Sequence, residues 1–199
     1  MTSLVAFLVR ALSGVRVRWL GADPLDCQRV YFANHTSNLD AAVLWAALPP
    51  LLRKTTRPVA ARDYWTLSAA RRWLASEIFR AVLIERRKVT NENNPLRQMI
   101  AVLEAGESLI IFPEGGRTPG PEPQNFKGGL FHLAKDRPQA QFVPVYLENL
   151  NRILPKGEIL PVPLLGSITV GSPIRLEPGE TKVDFLNRAR NAVWSLRLQ

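Results

Sequence analysis

The stretch Arg29-Val30-Tyr31-Phe32-Ala33-Asn34-His35-Thr36-Ser37-Asn38-Leu39-Asp40-Ala41-Ala42-Val43-Leu44 decides how this chain folds. Its first five residues are apolar after Arg29 and predict a strand. A short polar loop follows and holds one of only two histidines among 199 residues. Residues 40–48 then predict a helix with an apolar face, stopped by Pro49-Pro50. Strand, loop and helix in that order are the repeating unit of an α/β fold.

The same alternation continues outward. Residues 58–61, 81–85, 108–112, 142–147 and 168–174 read as strands. Residues 63–79 read as one helix, because Trp65, Ala69 and Trp73 recur at four-residue spacing. That stripe fits core anchors, and it fits equally the wall of an acyl-chain tunnel or an interfacial helix. Asn94 can cap a helix with Pro95 at its first position, an apolar stripe of Leu96, Met99, Ile100 and Leu103, and Gly106 as its stop. Helices are also expected near 128–135 and at 183–198, and residues 119–123 read as a stiff surface loop. The expectation is a single α/β domain over residues 1–199, with a central, mostly parallel sheet flanked by helices.

Composition bounds the function. Apolar residues make up 46% and charged residues 22%, as in a globular chain with a sizeable core. The lone Cys27 rules out an internal disulfide framework and reads as an ordinary thiol. Net charge is +9 and the pI is near 10.4. Residues 1–100 hold 15 Lys and Arg against 7 Asp and Glu, so they carry +8. The basic residues are interleaved with Trp, Leu, Val and Ala, which favours a membrane-facing surface over nucleic acid. The apolar run 4–9 stops at Arg10, too short for a bilayer span, and the arginines follow it, unlike a signal peptide. Residues 1–20 are expected to lie in a membrane interface or to cap the core.

Chemistry concentrates in two segments. Neutral imidazole takes a proton near neutral pH, and a carboxylate on its other nitrogen fixes the tautomer. His35 and Asp40 supply that pair, Asp40 from the first helical turn; the plainer reading is a loop histidine beside a helix cap. Ile110-Ile111-Phe112-Pro113-Glu114-Gly115-Gly116-Arg117 ends a strand in a glycine turn. Gly115 and Gly116 let backbone approach a ligand, Arg117 can fork onto a phosphate, and Glu114 can orient Arg117 or accept from a substrate hydroxyl. The plainer reading is a tight turn with an exposed ion pair. Arg86 ends another apolar strand, where ligands often sit, though Arg86-Arg87-Lys88 also fits a solvated face. No hydrolase elbow, Walker loop, dinucleotide fingerprint or metal-ligand spacing occurs, and His132 reads as a packing or surface residue. The two segments point to acyl transfer onto an anionic substrate bearing a hydroxyl.

With these residues in view, the sequence resembles the glycerolipid acyltransferases, the family that includes 1-acylglycerol-3-phosphate (lysophosphatidate) acyltransferase. Its His-x4-Asp block is matched by His35 and Asp40, preceded by the typical Asn34. Val82-Leu83-Ile84-Glu85-Arg86, Phe112-Pro113-Glu114-Gly115-Gly116-Arg117 and Val143-Pro144-Val145 match the later blocks in order, and the similarity spans most of residues 15–175. Gly116 stands where a hydroxyl residue is usual, and Arg80 where glycine is usual. The N-terminal membrane segment of many relatives is short here.

The resemblance implies that His35 is the base, Asp40 its orienter, and Arg86, Glu114, Gly115, Gly116 and Arg117 acceptor-site residues. It implies an acyl-CoA or acyl-carrier-protein donor, a lysophospholipid acceptor and no metal or cofactor. The expected location is the cytoplasmic face of the inner membrane, peripheral or monotopic. The alternatives are another acceptor (glycerol-3-phosphate or a lyso-ornithine lipid) or a non-catalytic basic module that binds membrane or nucleic acid.

Overall fold

Strand β2 (Arg29–Ala33) is buried at every position, because it lies between two parallel neighbours and under helices on both faces. These neighbours are β5 (Ser108–Ile111) and β6 (Gln141–Glu148), with Val30 beside Leu109 and Phe142, and Phe32 beside Ile111 and Pro144. The computed structural model describes residues 2–21, 27–86, 90, 92–118, 120–150 and 166–199. Beyond β5 come β3 (Thr56–Ala61) and β4 (Val82–Ile84); beyond β6 come β7 (Ser167–Val170) and β1 (Arg16–Trp19). The order is β1-β7-β6-β2-β5-β3-β4, and only the β6–β7 pairing is antiparallel among the described residues.

Side chains alternate across the sheet, as strand geometry requires. Tyr31, Ala33, Ile110 and Val143 face helices α1 (Thr2–Ser13) and α2 (Asp40–Ala47) in one core layer. Val30, Phe32, Leu109 and Phe142 face the other layer, under α6 (Pro95–Glu104), α7 (Gly129–Asp136) and α8 (Lys182–Ser195). Each fully buried aliphatic or aromatic side chain contributes about 1.5–3 kcal/mol, so both layers are substantial. The expected α/β class, the mostly parallel sheet and the flanking helices are all present.

Local signals explain the boundaries. The Asn94 side chain accepts from Leu96 N at 2.9 Å, Pro95 starts α6, and Gly106 takes φ +77° where the helix stops. Pro49 and Pro50 end α2 and at once start a short helix, α3 (Pro50–Thr55). Strand β7 ends at Val170, and Ile174 keeps only an isolated bridge to Phe142.

One expectation fails. Residues 63–79 are not one helix but α4 (Arg62–Trp65), α5 (Ala69–Trp73) and a π-helical turn (Leu74–Ile78). Ser68 restarts the helix by accepting from Arg71 N at 3.3 Å. Trp65 packs edge-on against Phe79, whereas Trp73 is exposed, so the stripe is split between core and surface.

Parallel register has a functional consequence. It brings the C-terminal ends of β2, β5, β3 and β4 to one rim of the sheet.

Candidate active site

The loop after β2 is tied down before it reaches His35. The buried Asn34 amide accepts from Leu147 N at 2.7 Å and donates to Leu147 O at 2.9 Å, so it pairs with β6 as a peptide group would. The loop then turns back on Asp40. A single carboxylate oxygen, Asp40 Oδ2, accepts from Thr36 N at 2.6 Å, Ser37 N at 2.8 Å and His35 Nδ1 at 2.8 Å. The Asp40 side chain is fully buried and that of His35 is 22% exposed. An oxygen that already accepts from two amides carries no proton, so Nδ1–H must be the donor. Nε2 is left as the basic nitrogen. Phe112 stacks on the imidazole at 4.3 Å and fixes the plane of the ring.

Glu114 holds this loop from the other strand. Its Oε1 accepts from His35 N at 2.8 Å, and its Oε2 accepts from Gln124 N at 3.0 Å and from the Thr118 hydroxyl. Thr118 N also donates to His35 O at 2.8 Å. The sequence suggested that Glu114 orients Arg117 or accepts from a substrate. The structure corrects this: the buried carboxylate is consumed in bracing the histidine loop against the turn.

His35 opens onto a cleft of about 280 Å3 at the rim of the sheet. Arg86, Gly115, Gly116 and Arg117 all line it, so the expected binding residues do come together. The inner wall is apolar, with Val59, Trp65, Ile84, Met99, Ile111 and Leu130. Nη2 of Arg86 lies 3.0 Å from both oxygens of Asp63, in a half-exposed pair. Arg117 is exposed and has no ion-pair partner among the described residues. Gly115 adopts φ +71°, and a Cβ there would come within 2.4 Å of Lys127 Nζ. The positive φ favours glycine at that position, while the flexible end of Lys127 could swing aside from a Cβ.

Lys127 was missed in the sequence. Its Nζ lies against Gly115, it lines the cleft, and its amide donates to Pro113 O at 2.8 Å. The available signal was a lysine directly before Gly128-Gly129 at a helix start. Gly116 has open space where a Cβ would stand, so the missing hydroxyl has steric room. Arg80, at φ +49°, does not reach this wall. It turns away to donate to Lys54 O at 3.0 Å and to pair with Glu107. His132 is exposed on α7 beside Phe131, as expected of a surface residue.

A buried carboxylate orients an imidazole, cations rim the cleft, and apolar walls line it. The arrangement can activate a hydroxyl beside an anionic group while sheltering an alkyl chain. Comparison with known proteins agrees. The family model for acyltransferases matches residues 21–148. Taffazin of Dictyostelium discoideum is 29% identical over 69% of this chain and 50% of its own length. The 1-acyl-sn-glycerol-3-phosphate acyltransferase alpha of Homo sapiens is 29% identical over 78% of this chain and 53% of its own. The chain thus spans about half the length of these curated relatives. The crystal structure of the 1-acyl-sn-glycerophosphate (LPA) acyltransferase PlsC from Thermotoga maritima shares the fold, with a TM-score of 0.75 at 20% identity over 99% of this chain and 78% of that one. With more than half of its residues inside the family match and the His–Asp cleft in place, the chain belongs to the acyltransferase family.

Proposed function

We propose that this protein transfers a fatty acyl chain from acyl-CoA or acyl-carrier protein to the free hydroxyl of lysophosphatidate, giving phosphatidate for phospholipid biosynthesis. His35 Nε2 takes the hydroxyl proton as the oxygen attacks the thioester carbonyl. Asp40 stabilises the imidazolium that forms. The tetrahedral intermediate then collapses, the C–S bond breaks, and the imidazolium returns its proton to the thiolate. No acyl-enzyme forms, and the chemistry uses no metal or cofactor beyond the thioester co-substrate.

Arg117, Lys127 and Arg86 hold the acceptor phosphate, with Gly115 and Gly116 allowing it close to the backbone. Glu114 acts as a positioning residue. Holding the phosphate turns a bimolecular encounter into an oriented attack. The observation that carries this reading is that a carboxylate-oriented imidazole and the cationic rim share one apolar-walled cleft.

We read residues 1–199 as one acyltransferase domain at the cytoplasmic face of the inner membrane, peripheral or monotopic, with the exposed side of α1 in the membrane interface; the expected interfacial segment 1–20 is cut back to that side, because Arg16–Trp19 form β1 of the sheet. No helix among the described residues is long and apolar enough to cross a membrane. The decisive experiment is an acceptor panel with one labelled acyl donor. Lysophosphatidate should be acylated faster than glycerol-3-phosphate or a lyso-ornithine lipid. Preference for the phosphate-free acceptor would overturn the assignment of the cationic rim. Salt-sensitive DNA binding without thioester-dependent CoA release would favour a non-catalytic basic module.

A further inference from the structure

Helix α1 has three unlike sides. Val5 and Val9 lie against the core, where Ala6 is also buried. Leu4, Leu8 and Leu12, four residues apart, form a second side and are exposed. Ser3, Ala6 and Arg10 form the third and, with Gly14 just past the helix and Pro50 and Arg53 of α3, line a cleft of about 640 Å3. This cleft shares no residue with the one that holds His35. Phe7, also exposed, stands where the cleft side meets the leucine side. Exposed Leu51, next to Pro50, extends the apolar border.

Arg53 is the unusual member, an arginine only 8% exposed. Its Nη1 donates to Ala46 O at 3.2 Å and Leu48 O at 3.3 Å, at the end of α2, and the guanidinium lies 5.3 Å from the Trp45 ring. Among the described residues the other guanidinium nitrogens have no hydrogen-bond partner and no acid lines the cleft. Burial, and then the charge of Arg10, lower the Arg53 pKa. A buried cation facing a second cation, with no carboxylate between them, is an arrangement that an incoming anion completes.

We propose that this cleft is a second, non-catalytic lipid site: Arg10 and Arg53 take the phosphate of an anionic membrane phospholipid while Leu4, Phe7, Leu8 and Leu12 enter the acyl layer. The site rests on the interfacial reading of α1 but not on the catalytic role of His35. A membrane lipid fits better than a free anion because the cationic side runs directly into the exposed apolar side.

The test measures binding of the whole chain to phosphatidylcholine vesicles with and without phosphatidylglycerol. Arg97→Glu, on the opposite layer, carries the same charge change as Arg10→Glu and controls for it. Arg10→Glu should bind the anionic vesicles about tenfold more weakly than Arg97→Glu. It should also raise Tm by about 2–4 °C, because Arg53 gains a counter-charge. Leu8→Asp should weaken binding to both kinds of vesicle.

Equal losses from Arg10→Glu and Arg97→Glu, with Leu8→Asp still impaired, would overturn the phosphate site and leave the interfacial reading standing. Failure of the wild type to bind either vesicle would overturn both. Saturable binding of inorganic phosphate that Arg10→Glu abolishes, with vesicle affinity unchanged, would assign the cleft to a free anion and overturn the lipid assignment.

Discussion

The two sides of the His35 cleft are built on opposite terms. On one side, His35 is held by Asp40, stacked on Phe112 and tied through its own amide to Glu114, with both carboxylates buried. On the other side, Arg117 and Lys127 are exposed and have no ion-pair partner among the described residues, and Arg86 has a half-exposed pair with Asp63. The general base proposed for this cleft needs one direction, and a buried carboxylate that bonds the ring and two loop amides through Oδ2 supplies it. A phosphate holder needs charge that is still available when the ligand arrives. Arg86, shared with Asp63, should therefore contribute less to holding it than Arg117 and Lys127.

Substitutions can break this contrast, and the largest effect belongs to the rigid side. His35→Ala should lower kcat by about 100- to 10,000-fold with far-UV circular dichroism unchanged, in a CoA-release assay with lysophosphatidate. Glu114→Ala comes next. It removes three hydrogen bonds to one buried carboxylate, so it should cost about 2–4 kcal/mol of stability in urea unfolding and reduce kcat through a loosened His35. An effect on acceptor KM alone would instead put Glu114 in contact with substrate.

On the open side, Arg117→Ala should raise the lysophosphatidate KM by about 10- to 100-fold while kcat changes little, the pattern of lost uniform binding. Stability should hold, because Arg117 has no ion-pair partner among the described residues. The smallest effect is expected at Arg80→Gly, away from the cleft. Relief of the left-handed backbone offsets loss of the Glu107 pair, so stability should stay within about 1 kcal/mol and activity within experimental error. A large activity change there would extend the site to the β3–β4 edge.

The sequence made much of this readable. The run at 29–33, the Asn94-Pro95 start and Gly106 stop of α6, and the His35–Asp40 spacing all have local causes, and local causes are visible in one dimension. The break in residues 62–78 also had a local cause, Ser68, but the tryptophan spacing masked it. What was not readable depended on contacts far apart in the chain. Glu114 was expected at the substrate because nothing in its own turn shows that His35 N, 79 residues away, will use its carboxylate. Lys127 reaches the cleft only because its backbone pairs with Pro113. Arg80 looked like a change in the wall of the site until its conformation placed it elsewhere.

Direct attack by a hydroxyl that His35 activates is open to a single rapid-mixing measurement. Protein and labelled acyl-CoA are mixed with and without lysophosphatidate, and CoA release and protein-bound label are followed through the first turnover. CoA should appear only when acceptor is present, with no label on the protein. A stoichiometric burst of CoA without acceptor, leaving acylated protein, would mean that a covalent intermediate carries the reaction and that His35 is not acting on the acceptor hydroxyl in the first step.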